Sequence, residues 1–156
     1  MKQILLTFIC ASTFSVTKAQ DCGAKAGLNY NGGVHVGVFA GFQIAEKLTI
    51  QPEFMYRSYQ NYLTLPVLIK YTTTSGFYGE TGPQVAYLLG ENWDPTYYNR
   101  VDFSWAIGIG YKTAKNLGID LRYNYGFIPV LDRFEGRSEN YNRELQLGVF
   151  YVLKSK

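Results

Sequence analysis

The sequence predicts an all-β fold: a closed, antiparallel, up-and-down barrel of eight strands that crosses a membrane. Three observations carry this: a hairpin unit that recurs at fixed offsets, alternation that leaves one face without charge, and connections short at one end and long at the other. The repeat is the most direct. Phe42, Ala45, Leu48, Ile50, Phe54 and Tyr56 return 69 residues later as Tyr111, Ala114, Leu117, Ile119, Tyr123 and Tyr125. A fainter copy, Tyr71, Phe77, Gly79 and Thr81, stands 29 residues after Phe42, Leu48, Ile50 and Pro52. In each copy an aromatic ends one alternating run, a few small or polar residues turn the chain, and a second run begins. Alternation with period two is the pattern of a strand with two chemically different faces, and short turns make successive strands antiparallel neighbours. A sheet built this way along the whole chain has exposed edges unless it closes.

Eight such runs follow one another: 23–30, 33–44, 47–57, 61–71, 76–89, 101–112, 116–127 and 141–153. The first is short and weakly patterned. The others approximate or exceed the ~9–11 residues that a tilted strand needs to cross a bilayer. The second run places Val34, Val36, Val38, Ala40 and Phe42 on one face, and the third places Leu48, Ile50, Pro52, Phe54 and Tyr56 there. The fourth continues it with Leu63, Leu65, Val67, Ile69 and Tyr71, and the sixth with Phe103, Trp105, Ile107, Ile109 and Tyr111. Leu117, Ile119, Leu121, Tyr123 and Tyr125 follow in the seventh, then Leu145, Leu147, Val149, Tyr151 and Leu153 in the eighth. No charge occurs among these residues, and aromatics gather at the run ends, where the interfaces of a bilayer would lie.

The opposite parity holds Gln51, Glu53, Arg57, Lys70, Glu80, Gln84, Asp102, Ser104, Asp120, Arg122, Asn124, Glu144 and Gln146, interspersed with glycines. A soluble ligand-binding barrel would show the same alternation with its faces inverted. The membrane reading is favoured because Arg or Lys on a lipid face at mid-bilayer costs about 2–4 kcal/mol and the apolar face carries none. That face is also bulky for the inside of eight strands. The turns at Ala45-Glu46, Thr73-Thr74-Ser75 and Ala114-Lys115 would share one end with both termini, the periplasmic end. The longer connections 90–100 and 128–140 would share the other. Short periplasmic turns and long outer loops are the usual asymmetry. Asn31-Gly32 and the turn at 58–60 are tight outer connections.

The ends of the chain read differently. Lys2, the apolar run Ile4–Val16 and Thr17-Lys18-Ala19 form the pattern of a secretory signal peptide over residues 1–19, leaving 20–156 as one barrel domain. Removing Lys2 and Lys18 takes the 15 basic residues to 13, against 12 acidic ones. Near neutrality gives no reason to expect a nucleic-acid partner. Cys10 falls in the leader, so Cys22 reads as a lone thiol near a flexible N-terminus. Asp21 before it does not fit a lipidation site.

Three sets of stretches stand out: Gly23-Ala24-Lys25-Ala26-Gly27-Leu28-Asn29 in the first run; Gln51-Pro52-Glu53-Phe54-Met55-Tyr56, the run from Tyr62 to Tyr71 with Leu65-Pro66, and Gly82-Pro83-Gln84 in the central ones; and Gly108-Ile109-Gly110-Tyr111 and Asn116-Leu117-Gly118 in the sixth and seventh. They resemble the opening, central, sixth and seventh strands of the PorT-like outer-membrane β-barrel proteins of Gram-negative bacteria. The resemblance implies a small porin-like outer-membrane barrel and admits a role in assembly or secretion machinery. The first two outer loops are short for the family.

An eight-stranded lumen is only wide enough for side chains. The expected interior is therefore a salt-bridged plug in which Glu53, Glu80, Asp102, Asp120 and Glu144 meet Arg57, Lys70 and Arg122, with a narrow conduit as the alternative. His35 is the single histidine and reads as a hydrogen-bonded interior residue. A lipid-modifying enzyme would need a nucleophile beside it, with Ser104 the one on the same parity. No metal-ligand cluster, phosphate loop or cofactor motif stands out, and the expected role is structural or surface-interacting rather than catalytic. The expected partner is the lipid bilayer around a monomer. Contacts to other molecules would come from the long loops, through Trp93, Tyr97 and Tyr98 in one and Arg133 and Arg137 in the other.

Overall fold

The computed structural model describes residues 21–59, 61–89, 100–129 and 141–154. Eight strands run β1 (Asp21–Asn29), β2 (Val34–Ala45), β3 (Leu48–Arg57), β4 (Tyr62–Thr72), β5 (Phe77–Leu88), β6 (Val101–Lys112), β7 (Leu117–Pro129) and β8 (Tyr141–Lys154). Each pairs antiparallel with its sequence neighbours, and β1 also pairs with β8, so the sheet closes in the order β1 to β8. The strands agree with the eight alternating runs to within two residues at every end. The expected leader and the loop residues Trp93, Tyr97, Tyr98, Arg133 and Arg137 lie outside the described residues.

Two turns show why the hairpin unit repeats. After β4, Thr73 N donates to Phe77 O at 2.8 Å and Thr73 Oγ1 donates to the same carbonyl at 2.9 Å. After β6, Thr113 N and Oγ1 both donate to Leu117 O at 2.8 Å. Gly76 (φ 93°) and Asn116 (φ 65°) then supply the left-handed residue that brings the chain back. Glycine and asparagine are the residues that reach this region most readily.

The two faces separate as their chemistry requires. Ile107, Ile109, Ile119, Val149 and their neighbours point outward, with Ile109 65% exposed. The interior instead buries Arg122, Glu53, Asp120 and Asp102 at 4% exposure or less. Apolar outside and ionic inside is stable only where the outside is hydrocarbon, which excludes the inverted, soluble arrangement. The outer-face polar side chain of Thr81 is satisfied locally: it donates to Ala106 O at 3.0 Å and accepts from Trp105 Nε1 at 2.8 Å.

Two features depart from the expectation. Cys22 is not on a loose terminus: it lies in β1, half-buried, opposite Ala40 and Lys154. The ladders are also notched by prolines on three consecutive strands. Regular pairing skips Ala40 and Gly41 opposite Pro52 and Gln51, then Glu53 and Phe54 opposite Pro66 and Leu65. It next skips Val67 and Leu68 opposite Pro83 and Gly82. Proline has no N–H to give, so each seam from β2 to β5 loses a rung. The β5–β6 ladder runs unbroken from Phe77 to Tyr87.

Candidate functional site

The candidate site is the lumen, where side chains from all eight strands converge. At its centre lies Arg122, which β7 directs inward because Leu121 and Tyr123 on either side take the outer face. Its Nη1 and Nη2 donate to Glu53 Oε2 and Oε1 at 2.7 and 2.9 Å, a two-pronged grip across the barrel. Its Nε and Nη2 both donate to Glu80 Oε1, at 2.9 and 2.7 Å. One guanidinium thus ties β7 to β3 and β5. The planar fork suits this geometry, which a lysine could not reproduce.

A second pair lies beside it. Lys25 Nζ approaches Asp120 Oδ2 to 2.6 Å, with both side chains almost wholly buried. Gly148, opposite both Asp120 and Gly27, makes room: a Cβ there would stand 2.7 Å from Asp120 Oδ1 and 2.9 Å from Lys25 Cε. Further toward the end that carries the β1–β2 and β3–β4 turns, Arg57 is salt-bridged to Glu144 and lies 5.0 Å over the Tyr62 ring. Gln146 Nε2 donates to the same Glu144 oxygen at 3.0 Å. In this layer His35 Nδ1 donates to Asn29 Oδ1 at 2.7 Å.

Apolar groups close both ends. Tyr62, Ala86 and Leu88 cluster at the loop end, and Phe39, Tyr78, Phe150 and Val152 at the end with the termini. The three rings of the latter stack edge to face, with Phe150 centroids 5.9 Å from Phe39 and 6.1 Å from Tyr78. Lys70 Nζ lies over this cluster, 3.6 Å from the Tyr78 centroid.

Glu53, Arg57, Lys70, Glu80, Asp102, Asp120 and Arg122 all occupy the lumen. The structure brings together Arg122 with Glu53 and Glu80, and Arg57 with Glu144. It pairs Asp120 with Lys25, a residue absent from the expected network, and gives Lys70 no carboxylate within 4 Å among the described residues. Lys25 was findable: it alternates with Ala24 and Ala26, but its strand is short and small-residued, so its parity carried little weight. The aromatic plug was legible only as inward parity, since Phe39, Tyr78 and Phe150 fall on the face that also carries the charges. Ser104 accepts from Gln84 Nε2 at 3.2 Å on β6, whereas His35 is held on β2 by Asn29.

Residues 58–132, which span β4 to β7, match the family described as outer membrane protein beta-barrel domain. No curated protein matches the chain. Among solved structures it is similar to the outer membrane enzyme PagL, with 15% identity over 85% of this chain and 97% of that one and a TM-score of 0.54. It is similar to Neisserial surface protein A at 15% identity, covering 88% of this chain and 99% of that one, with a TM-score of 0.51. A de novo designed transmembrane β-barrel gives 14% identity, 87% and 98% coverage and a TM-score of 0.53. At these identities the neighbours show a shared fold. The family match and the closed topology place the chain in the outer membrane as an eight-stranded barrel.

Proposed function

We propose that this outer-membrane β-barrel protein is a monomeric, non-catalytic barrel with a side-chain-filled lumen, serving a structural or surface-interaction role. The observation that carries the reading is Arg122, locked at the lumen centre between Glu53 and Glu80 by four hydrogen bonds of 2.9 Å or less. A conduit through that level would have to break a fully buried ion cluster, and removing partners from such a cluster costs about 3–5 kcal/mol. With the centre of the lumen committed to holding the barrel, surface recognition falls to the loop end, where the sequence concentrates Trp93, Tyr97, Tyr98, Arg133 and Arg137. The stretches similar to PorT-like barrels support a narrower form of this role, a scaffold barrel beside assembly or secretion machinery. Orientation with the short turns and termini in the periplasm fits both.

The lipid-modifying alternative finds little support in the geometry. Acyl transfer needs a base within hydrogen-bond reach of a nucleophile, at a place lipid can enter. His35 is 1% exposed, faces the lumen and donates to an asparagine. The test is two-part: reconstitution in planar bilayers, and lipid analysis of membranes carrying the wild type or His35→Ala. No stepwise conductance and unchanged acylation are expected. Open-channel steps, or an acylation change that His35→Ala abolishes, would overturn the reading.

A further inference from the structure

The end of the lumen that carries the termini is not filled flush. Between the aromatic plug and the mouth lies a cavity of about 190 Å³, floored by Gln51, Lys70, Tyr78 and Phe150. Its floor holds the one described lumen cation that lacks a carboxylate. Lys25, Arg57 and Arg122 each contact one, whereas Lys70 Nζ donates a single 3.4 Å hydrogen bond to Gln51 Oε1. Otherwise it meets the faces of Tyr78 and Phe150, at 3.6 and 5.0 Å from their centroids.

The side chain's direction is informative. Glu80 is the cross-strand neighbour of Lys70, and its Oε2 has no hydrogen-bond partner. Yet the two form no ion pair: Arg122 holds Glu80 through Oε1, and the ammonium lies over the Tyr78 ring among the residues that line the cavity. Lys70 is only 8% exposed, so its charge is largely desolvated, and an ammonium has three N–H donors of which Gln51 takes one. The mouth adds Lys47, Glu46 and the Lys112–Asp21 pair at 3.2 Å, which leaves the cavity one positive charge in excess with Lys70 counted. A cavity of ~150 Å³ holds a benzene-sized molecule, so this one admits a ligand of several heavy atoms. A floor of one point charge between two rings suits a single carboxylate with a short apolar tail. A phosphate would demand more donors than this floor offers.

We propose that this vestibule binds a small aliphatic monocarboxylate, its oxygens on the Lys70 ammonium and its tail against Tyr78 and Phe150. The test is NMR titration of the detergent-folded protein, following the Gln51 side-chain amide and the Lys70 ammonium. The probes are sodium butyrate, sodium acetate and sodium chloride at matched ionic strength. Saturable shifts are expected with both carboxylates, butyrate binding more tightly, and none with chloride. Lys70→Met should weaken butyrate at least tenfold while the barrel keeps its boiling-dependent gel shift. Thr49→Trp, which narrows the cavity from its wall beside Lys70 while keeping the lysine itself, should weaken it as well and serves if Lys70→Met fails to fold. Non-saturating shifts, equal shifts with chloride, or wild-type affinity in either folded variant would overturn the proposal.

Discussion

Replacing Arg122 by methionine is the sharpest perturbation the lumen offers. The substitution keeps an unbranched side chain but removes all four donors that hold Glu53 and Glu80. Hydrogen bonds to charged groups contribute roughly 1.5–3 kcal/mol each, but four from one group are far from additive. The relevant magnitude is the cost of stranding buried charge, about 3–5 kcal/mol when one partner of a buried pair is lost. Here two carboxylates, each about 1% exposed or less in the side chain, are stranded together, so the loss should reach the upper end of that range. The assay is urea unfolding in detergent micelles at pH 7, followed by tryptophan fluorescence and by the gel shift on boiling. Neutralising the stranded groups in the triple variant Arg122→Met/Glu53→Gln/Glu80→Gln should restore at least half of the loss, although Lys25 and Asp120 remain charged beside them. A loss below about 1 kcal/mol for Arg122→Met would refute the account, because the cluster would then be incidental. So would a full loss that the two glutamines leave untouched, since the damage would then come from packing.

Three further outcomes follow from the wall. Ile107→Arg places a cation on a side chain that is 60% exposed to the bilayer, and should cost about 2–4 kcal/mol and abolish most of the heat-modifiable form on gels. Gly82→Ala drives a methyl group into the Val67 carbonyl of the neighbouring strand, a backbone atom that cannot rotate aside, and should lose about 1–3 kcal/mol in urea unfolding. Pro83→Ala restores an N–H opposite Val67, and should slow hydrogen exchange along β4 and raise stability by about 0.5–1.5 kcal/mol. Unchanged exchange in Pro83→Ala would mean the β4–β5 seam gains no rung.

The wall was readable because its cause is local. A bilayer imposes one rule on every outward position, so parity within a run of ten residues suffices to sort Val34–Val36–Val38 from His35 and Phe39. The lumen answers to no such rule. That Arg122 would choose Glu53 and Glu80, leaving Asp120 to Lys25, depends on reach across the barrel and on where Gly148 opens space. The register of strands far apart in sequence determines both. The same holds for Lys70: its parity put it inside, but only the position of Tyr78 and Phe150 explains why it faces the mouth. The prolines stood in plain sight, Pro52 as an outer-face residue and Pro66 and Pro83 within recognisable stretches. Their alignment on successive seams emerges only once β3, β4 and β5 are paired.

The division between wall and lumen also explains why an eight-stranded barrel would bury so many charges. A one-residue slip between strands turns every apolar side chain inward, and the bilayer rejects it outright. A two-residue slip preserves parity, and the apolar pattern of the wall scarcely distinguishes it from the native register: Val, Leu and Ile simply exchange places with their like. Ionic pairs do distinguish it. Moving β7 by two residues against β3 would carry Arg122 roughly 6–7 Å along the strand, beyond the 2.7 Å reach that Glu53 requires. Lys25–Asp120 and Arg57–Glu144 make the same demand on β1 with β7 and on β3 with β8. The buried charges are therefore better understood as selectors of register than as sources of net stability, a role polar groups also play in coiled coils. A variant whose lumen charges are all replaced by isosteric neutral residues should still partition into membranes. It should do so as a mixture of registers, visible as several heat-modifiable bands where the wild type gives one.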